Sequence, residues 1–247
     1  MNRQSQAAVL FLLGAALLHA GTTDLYLRYV KAGLRPLLLA AGAILILTAL
    51  ATAWYERRRT QREQQQADDQ GHAPHHAPHP EPRVAWLLIL PLLALILVAP
   101  PALGSYSATR TGTALQEPLA YPALPATDPL PLSVVDYAGR AVYDHGRTLT
   151  GREVELTGFV ALDHDGTPYL IRMALNCCAA DAQPVKIGLT GAIPPVLQPD
   201  TWLIVTGTYT PRTTRDPVND GPIPFIKVTE AKPTKTPRDP YDESWNN

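Results

Sequence analysis

The sequence predicts an α-helical membrane part of about three transmembrane helices followed by a C-terminal all-β domain. Two observations carry this reading: three long windows in the first half are free of Asp, Glu, Lys and Arg, and five short alternating apolar runs fill much of the second half. The composition agrees. Charged residues make up 17% of the 247-residue chain, against about 25% in an ordinary soluble domain. Twenty-five prolines confine long helices to few places. The two cysteines are neighbours, which excludes a disulfide-stapled scaffold and a four-cysteine metal site built by this chain alone.

The first window, Gln4 to Thr23, predicts a span over about residues 6–23. Pro36 to Tyr55 matches the roughly 20 residues that cross about 30 Å of hydrocarbon as a helix. The third span is expected over 84–103. It contains Pro91, which bilayer helices tolerate when neighbours satisfy the freed carbonyl, and it stops at Pro100 and Pro101. Trp54, Tyr55 and Trp86 stand at span ends, where amphipathic rings favour the headgroup layer. Arg3 before a short apolar core also has the layout of a secretory signal, but two further spans follow closely, which favours an integral helix. Core helices of a soluble protein are the other alternative, and three such windows with arginines clustered between two of them leave it little room.

Orientation follows the positive charge. Arg57, Arg58, Arg59 and Arg62 form the densest basic cluster, while Arg28, Lys31 and Arg35 in the first connection are offset by Asp24. With the cluster inside, the N-terminus is cytoplasmic and everything after Leu103 lies outside an inner or plasma membrane. Residues 56–83 read as a polar linker with no core-forming residues. Its HAPHHAPHP stretch places His72, His75, His76 and His79 together, a mobile tract able to capture Zn, Ni or Cu weakly, or simply a variable Pro/His linker.

Residues 104–131 read as a Pro-rich extended stalk, 132–233 as a compact domain and 234–247 as a tail. The domain opens with a candidate helix, SVVDYAGRAVYDHGRTL. Strands are then expected at 153–160, 167–175, 184–190, 202–210 and 224–231, separated by turn pieces rich in Gly, Pro, Asn and Asp. Gly158 and Gly207 fall inside strands, as bent corners of a small barrel require. Five short strands in about 80 residues suggest a small OB-like barrel, with a sandwich as the alternative. OB barrels often bind single-stranded nucleic acid, and charge argues against it here. From residue 104 onward, 12 Lys and Arg face 16 Asp and Glu, a net of −4, which gives no attraction for a phosphate backbone.

The chemically unusual stretch is IRMALNCCAADAQP. In a strand Cys177 and Cys178 point to opposite faces, so both sulfurs meet one ligand only if the backbone turns at the AADA run. Two thiolates with Asp181 then offer S,S,O donors to a soft or borderline ion such as zinc. The pair could instead close as a strained vicinal disulfide or pack as small buried hydrophobes. A CxxC redox motif is not present, and the basic neighbours available to lower a thiol pKa are Arg172 and Lys186.

Arg172, the Cys177-Cys178-Ala179-Ala180-Asp181-Ala182 run and Pro184 resemble the hallmark of the YcgQ-like membrane proteins. Trp202, Thr206-Gly207, the closing Pro237 to Tyr241 and the amino-terminal order of QAAVLFLLGAALL, YVKAGLRPLLLAAG and LGSYSATR are similar too. The resemblance implies a multi-pass inner-membrane protein with an extracytoplasmic C-terminal domain. It also implies a partner, a YcgR-like polytopic permease subunit, and a loose link to zinc or other metal homeostasis. The histidine tract lies outside the shared pattern, and DESWNN after Tyr241 departs from the usual acidic-aromatic ending.

The leading functional expectation is therefore an accessory subunit of a two-component permease. A stand-alone membrane metal-binding protein is the alternative, and a membrane-tethered thiol oxidoreductase ranks third. No Ser/His/Asp set, phosphate loop or carboxylate pair marks an enzyme, and His145, His164, Asp163 and Asp165 read as turn residues. The full-length product is expected to pellet on high-speed centrifugation and to enter the supernatant only with detergent. Recovery in a detergent-free supernatant would remove the membrane reading.

Overall fold

The computed structural model describes residues 3–70, 101–243 and a few isolated positions between them. The four linker histidines and most of the expected third span lie outside the described residues. The chain divides into two compact units, residues 1–26 with 32–100, and residues 27–31 with 101–247.

In the first unit α1 (Arg3–Thr22) packs against α2 (Arg35–Gln70). Two stretches are long and apolar enough to cross a membrane, Gln4–Thr22 in α1 and Ala32–Arg62 reaching from just before α2 into it, and little of either is buried. Phe11, Leu37, Ile44, Leu47 and Leu50 present apolar surface outward instead. Small residues bring the backbones together: a Cβ on Gly14 would lie 2.7 Å from Ile46 Cγ1 and 2.8 Å from the Gly42 carbonyl oxygen. Such contacts hold apolar helices where water supplies no drive for association. At the turn, Arg35 Nε donates to the Gly21 carbonyl at 2.9 Å, satisfying a C-terminal acceptor of α1. The helix α2 runs past Tyr55 to Gln70, into the stretch expected as a linker. Arg, Glu, Gln and Ala are good helix formers, and no proline interrupts before Pro74.

The second unit is built on a closed five-stranded barrel. Strands β2 (Glu153–Leu162), β3 (Pro168–Leu175), β4 (Gln183–Gly191), β5 (Trp202–Arg215) and β6 (Pro222–Pro233) correspond to the five expected runs. β2 pairs antiparallel with both β3 and β5, β3 with β4, and β5 with β6; the parallel β4–β6 ladder closes the ring. This is the connectivity of an OB barrel. Two three-residue strands missing from the sequence reading extend it: β1 (Leu130–Leu132) beside β2, and β7 (Tyr241–Glu243) beside β3. Three residues are too short to show a period.

Alternation placed the core correctly. Val154, Leu156 and Val160 of β2 meet Leu203 and Val205 of β5, Ile187 of β4 and Ile226 of β6 inside the barrel. A Cβ on Gly207 would sit 2.4 Å from the Lys227 carbonyl, and the β5–β6 register slips at this residue. The glycine therefore marks a bulge that bends the strand. Two further helices are described in this unit, α3 (Ser105–Arg110) and α4 (Val134–Val142). Ser133 caps α4 by accepting from Asp136 N at 2.9 Å. Val134, Val135, Tyr137, Ala138 and Ala141 of α4 join the barrel core, and the Tyr137 hydroxyl donates to Phe225 O at 2.8 Å.

The proline-rich 104–131 stretch is largely extended, as its composition dictates, yet it lies against the barrel. Leu115 and Leu124 pack on the core, Arg140 Nη2 donates to Pro122 O at 2.8 Å, and Arg152 Nη2 donates to Pro125 O and Thr127 O. Replacing the fully buried Leu156 by Ala is expected to cost about 2–5 kcal/mol through lost burial and the cavity left behind. Denaturant unfolding of the barrel, followed by far-ultraviolet circular dichroism, measures this.

Candidate functional site

An OB barrel usually binds ligands on its second and third strands, between the loops after its first and fourth strands. Here that face is covered by the chain itself. Ala102, Leu103 and the fully buried Ala108 pack with Phe159, Ile171, Met173, Ile223 and Tyr241. Ser105 donates to the Asp200 carboxylate from both N and Oγ, and Ala114 N donates to Pro184 O at 2.9 Å. Thr113 N donates to Asp216 Oδ2, which also holds the buried Lys186 ammonium at 2.8 Å. The space left between Asp163, Tyr169, Lys186 and Pro217 holds about 20 Å³, close to a single water. A small-molecule or oligomeric ligand has no room there.

The loop joining β3 to β4 carries the cysteines. Cys178 stays extended (φ −153°, ψ 168°), and a 3-10 turn over Ala179–Asp181 then reverses the chain. The turn swings Asp181 back, so that its carboxylate accepts from Asn176 N at 3.1 Å and Cys177 N at 2.9 Å. The AADA run thus supplies the expected reversal, which returns Asp181 to Cys177 while Cys178 itself remains extended. One ligand atom each from Cys177, Cys178 and Asp181 lies within 4.8 Å of the others. Cys177 is exposed, while Cys178 and Asp181 are half-buried, and both thiols are free.

Proton affinities in the loop are linked. The Cys177 thiol donates to Asp181, and this bond, a further one with Cys178 and the nearby carboxylate charge push its pKa up to about 12. Partial burial works to raise Asp181, but hydrogen bonds from the Cys177 thiol and from loop amides outweigh it and hold the carboxyl below its ordinary value. This is the reverse of an activated thiol, which needs positive charge beside it.

Two brackets hold the loop in place. The first is Arg172, five residues before Cys177. Its Nε donates to Asp242 Oδ1 at 3.0 Å and its Nη2 to Asp239 O and Tyr241 O, while its guanidinium lies 5.1 Å from the Trp202 ring centroid. Asp242 also accepts from Val135 N at 3.4 Å, at the start of α4. Four residues of the family resemblance outside the cysteine run, Arg172, Trp202, Asp239 and Tyr241, therefore form a structural tie around β3 together with Asp242. Tyr29–Lys31 make the second: Ala179 N donates to Tyr29 O at 2.8 Å and Lys31 N to Cys177 O at 3.1 Å, with Val30 opposite Cys178. Sequence reading missed this bracket, because partners some 150 residues apart leave no local signal. Asp163 and Asp165 accept from His164 N and Thr167 N within their own turn, as expected of turn residues.

The second unit is thus a closed barrel that displays a vicinal thiol loop, in a chain that begins with two apolar helices. Residues 135–242 match the family described as DUF1980 C-terminal domain, the family type to which the YcgQ-like resemblance pointed. No curated protein and no solved structure matches the chain.

Replacing Asp181 by Asn removes the acceptor and charge that hold the Cys177 proton. Alkylation of Cys177 by iodoacetamide at pH 8 is expected to accelerate at least about tenfold as its pKa returns toward the ordinary thiol value near 8.5. The sign for stability follows for each group. The raised thiol contributes stability that is present below the unfolded thiol pKa and lost as pH climbs through about 12. The lowered carboxyl of Asp181 contributes above the unfolded carboxylate value and fades as pH falls through its folded one.

Proposed function

We propose that the chain is a multi-pass membrane protein, the accessory subunit of a two-component permease, whose barrel captures a thiophilic ion such as zinc on the outer side. The observation that carries this reading is the gathering of Cys177, Cys178 and Asp181 on an exposed loop. Tetrahedral zinc with bonds near 2.3 Å to sulfur needs ligand atoms about 3.8 Å apart. Small rotations of the side chains and of the peptide groups that carry them close the remaining gap from 4.8 Å, so the three donors fit part of the ion's shell, with a histidine or a partner residue completing it. Cys177 loses its proton on binding, which makes affinity rise with pH.

Topology supports the placement. Tyr29–Lys31, between the two apolar helices in sequence, pairs with the thiol loop. If α1 and α2 cross the bilayer, this connection lies on the face opposite the arginine cluster at Arg57–Arg62. That arrangement agrees with the orientation read from positive charge. Few apolar helices cannot enclose a transport path, so a polytopic partner of the YcgR type, implied by the family resemblance, supplies it. The strongly protonated Cys177 disfavours the thiol oxidoreductase reading.

The test uses the full-length protein in detergent. About one zinc per chain is expected by elemental analysis after equilibration at pH 7.5, falling below a tenth of that when Cys177 and Cys178 are both replaced by Ser. Unchanged metal content in the double variant reduces the cysteines to packing residues. Co-purification from native membranes is expected to bring a second, polytopic subunit; stoichiometric zinc without one points to a stand-alone metal-binding protein.

A further inference from the structure

The thiol loop alone does not fix the directions of its two sulfurs. Side chains of neighbouring extended residues diverge, and the Ala179–Asp181 turn that brings Asp181 back begins only after Cys178. The peptide groups on either side of Cys178 are instead held from outside. The Cys177 carbonyl accepts from Lys31 N, and the Ala179 amide donates to Tyr29 O, so that both hydrogen bonds of one antiparallel bridge flank the Cys178 side chain. Lys31 Nζ lies 3.4 Å from Glu243 Oε2, next to the β7 strand that ties down Arg172. The Tyr241 hydroxyl donates to Arg28 O at 3.3 Å and accepts from Leu103 N at 3.0 Å. Residues 28–31 are thus stitched to the barrel by backbone and side chain, at the place where the two sulfurs must converge.

We infer that Tyr29–Lys31 is the positioning segment of the thiol site, and that an ion on Cys177 and Cys178 is coupled to the connection between α1 and α2. The inference rests on the capture reading above and adds its regulation. An ion drawing two adjacent sulfurs together rotates the peptide groups of residues 177–179. Those are the groups whose carbonyl and amide the Tyr29–Lys31 backbone holds. Binding that stabilises the bridged geometry stabilises the bridge, and by linkage a segment pulled out of the bridge loosens the ion by the same factor. Couplings of this kind span about 5- to 150-fold in affinity. The connection between two spans is where a partner permease can pull on it, so the site has a route by which membrane movement releases its ion.

The experiment compares Lys31→Pro, which deletes the Lys31 amide donor, with Lys31→Ala, which keeps that donor and removes the ammonium that meets Glu243. Full-length protein in detergent is titrated with cadmium, read by the sulfur-to-cadmium charge-transfer band. Lys31→Pro is expected to weaken cadmium about tenfold and Lys31→Ala by less than about twofold. Hydrogen exchange at the Lys31 amide of the wild type is expected to slow several-fold with cadmium bound. A barrel melting midpoint equal to the wild type shows that the domain is intact in both variants. Equal cadmium affinity in Lys31→Pro and wild type, or equal losses in the two variants, overturns the inference. A second arm needs no ion: maleimide labelling of Cys178 is expected to quicken at least about fivefold in Lys31→Pro alone, and unchanged labelling overturns the positioning role. If the wild type takes no cadmium while Lys31→Pro still speeds labelling, the capture reading and the coupling to it fail and the positioning segment stands.

Discussion

Closure of the barrel through the parallel β4–β6 ladder is the constraint on which the rest of the second unit depends. Antiparallel hairpins alone would leave β4 and β6 as open edges, each a row of unpaired backbone groups. Pairing Gly188 through Gly191 with Phe225 through Val228 joins the two edges and encloses the Leu156, Ile187 and Ile226 core. Once the ring is closed, every connecting loop is confined to a rim, and the β3–β4 loop with its cysteines has one place to be. The bulge at Gly207 and the close approach of Gly158 to the Ile171 carbonyl supply the curvature that closure demands.

On that frame one buried ion pair braces the strand that leads into the thiol loop. Arg172 and Asp242 are both nearly buried, and an ion pair so placed contributes little net stability once desolvation is counted. Its value is in specifying one arrangement: Asp242 also meets the start of α4, and Arg172 gathers the carbonyls of Tyr241 in β7 and of Asp239 just before it. An apolar pair would hold these elements together without choosing their register. The same logic applies to Lys186 and Asp216, which fasten the Thr113 amide to the β4–β6 side of the barrel.

Filling of the usual OB ligand face by residues 102–114 changes what the fold can do. The aromatic and aliphatic surface of Phe159, Ile171, Met173 and Tyr241 would otherwise be a platform for a flat ligand, and Ala108 and Leu103 cover it instead. What remains chemically distinctive and open to solvent is the rim loop, where the Cys177 thiol donates to the Asp181 carboxylate. A negative domain with its groove occupied offers a polyanion no attraction.

Much was legible from local pattern. Charge-free stretches marked α1 and the first half of α2, apolar runs between turn residues located all five barrel strands, and alternation put Val154, Leu156 and Val160 on one face of β2 and Leu203 and Val205 on one face of β5. The reversal in the AADA run was foreseen from small residues after a strand. Each of these depends on residues a few positions apart, whose geometry the backbone repeat dictates. Four features escaped that reading: the continuation of α2 to Gln70, the packing of the expected stalk on the barrel, the short strands β1 and β7, and the bracket of Tyr29–Lys31 on Cys178. The first reflects helix propensity prevailing where polarity suggested a linker. The others exist because distant segments supply the missing hydrogen-bond partners. The amino-acid sequence by itself determined which residues are apolar, which strands alternate and which thiols are adjacent; the tertiary structure alone decided what the thiols face, because backbone pairing between segments 150 residues apart is set by closure of the whole domain and leaves no trace in either segment.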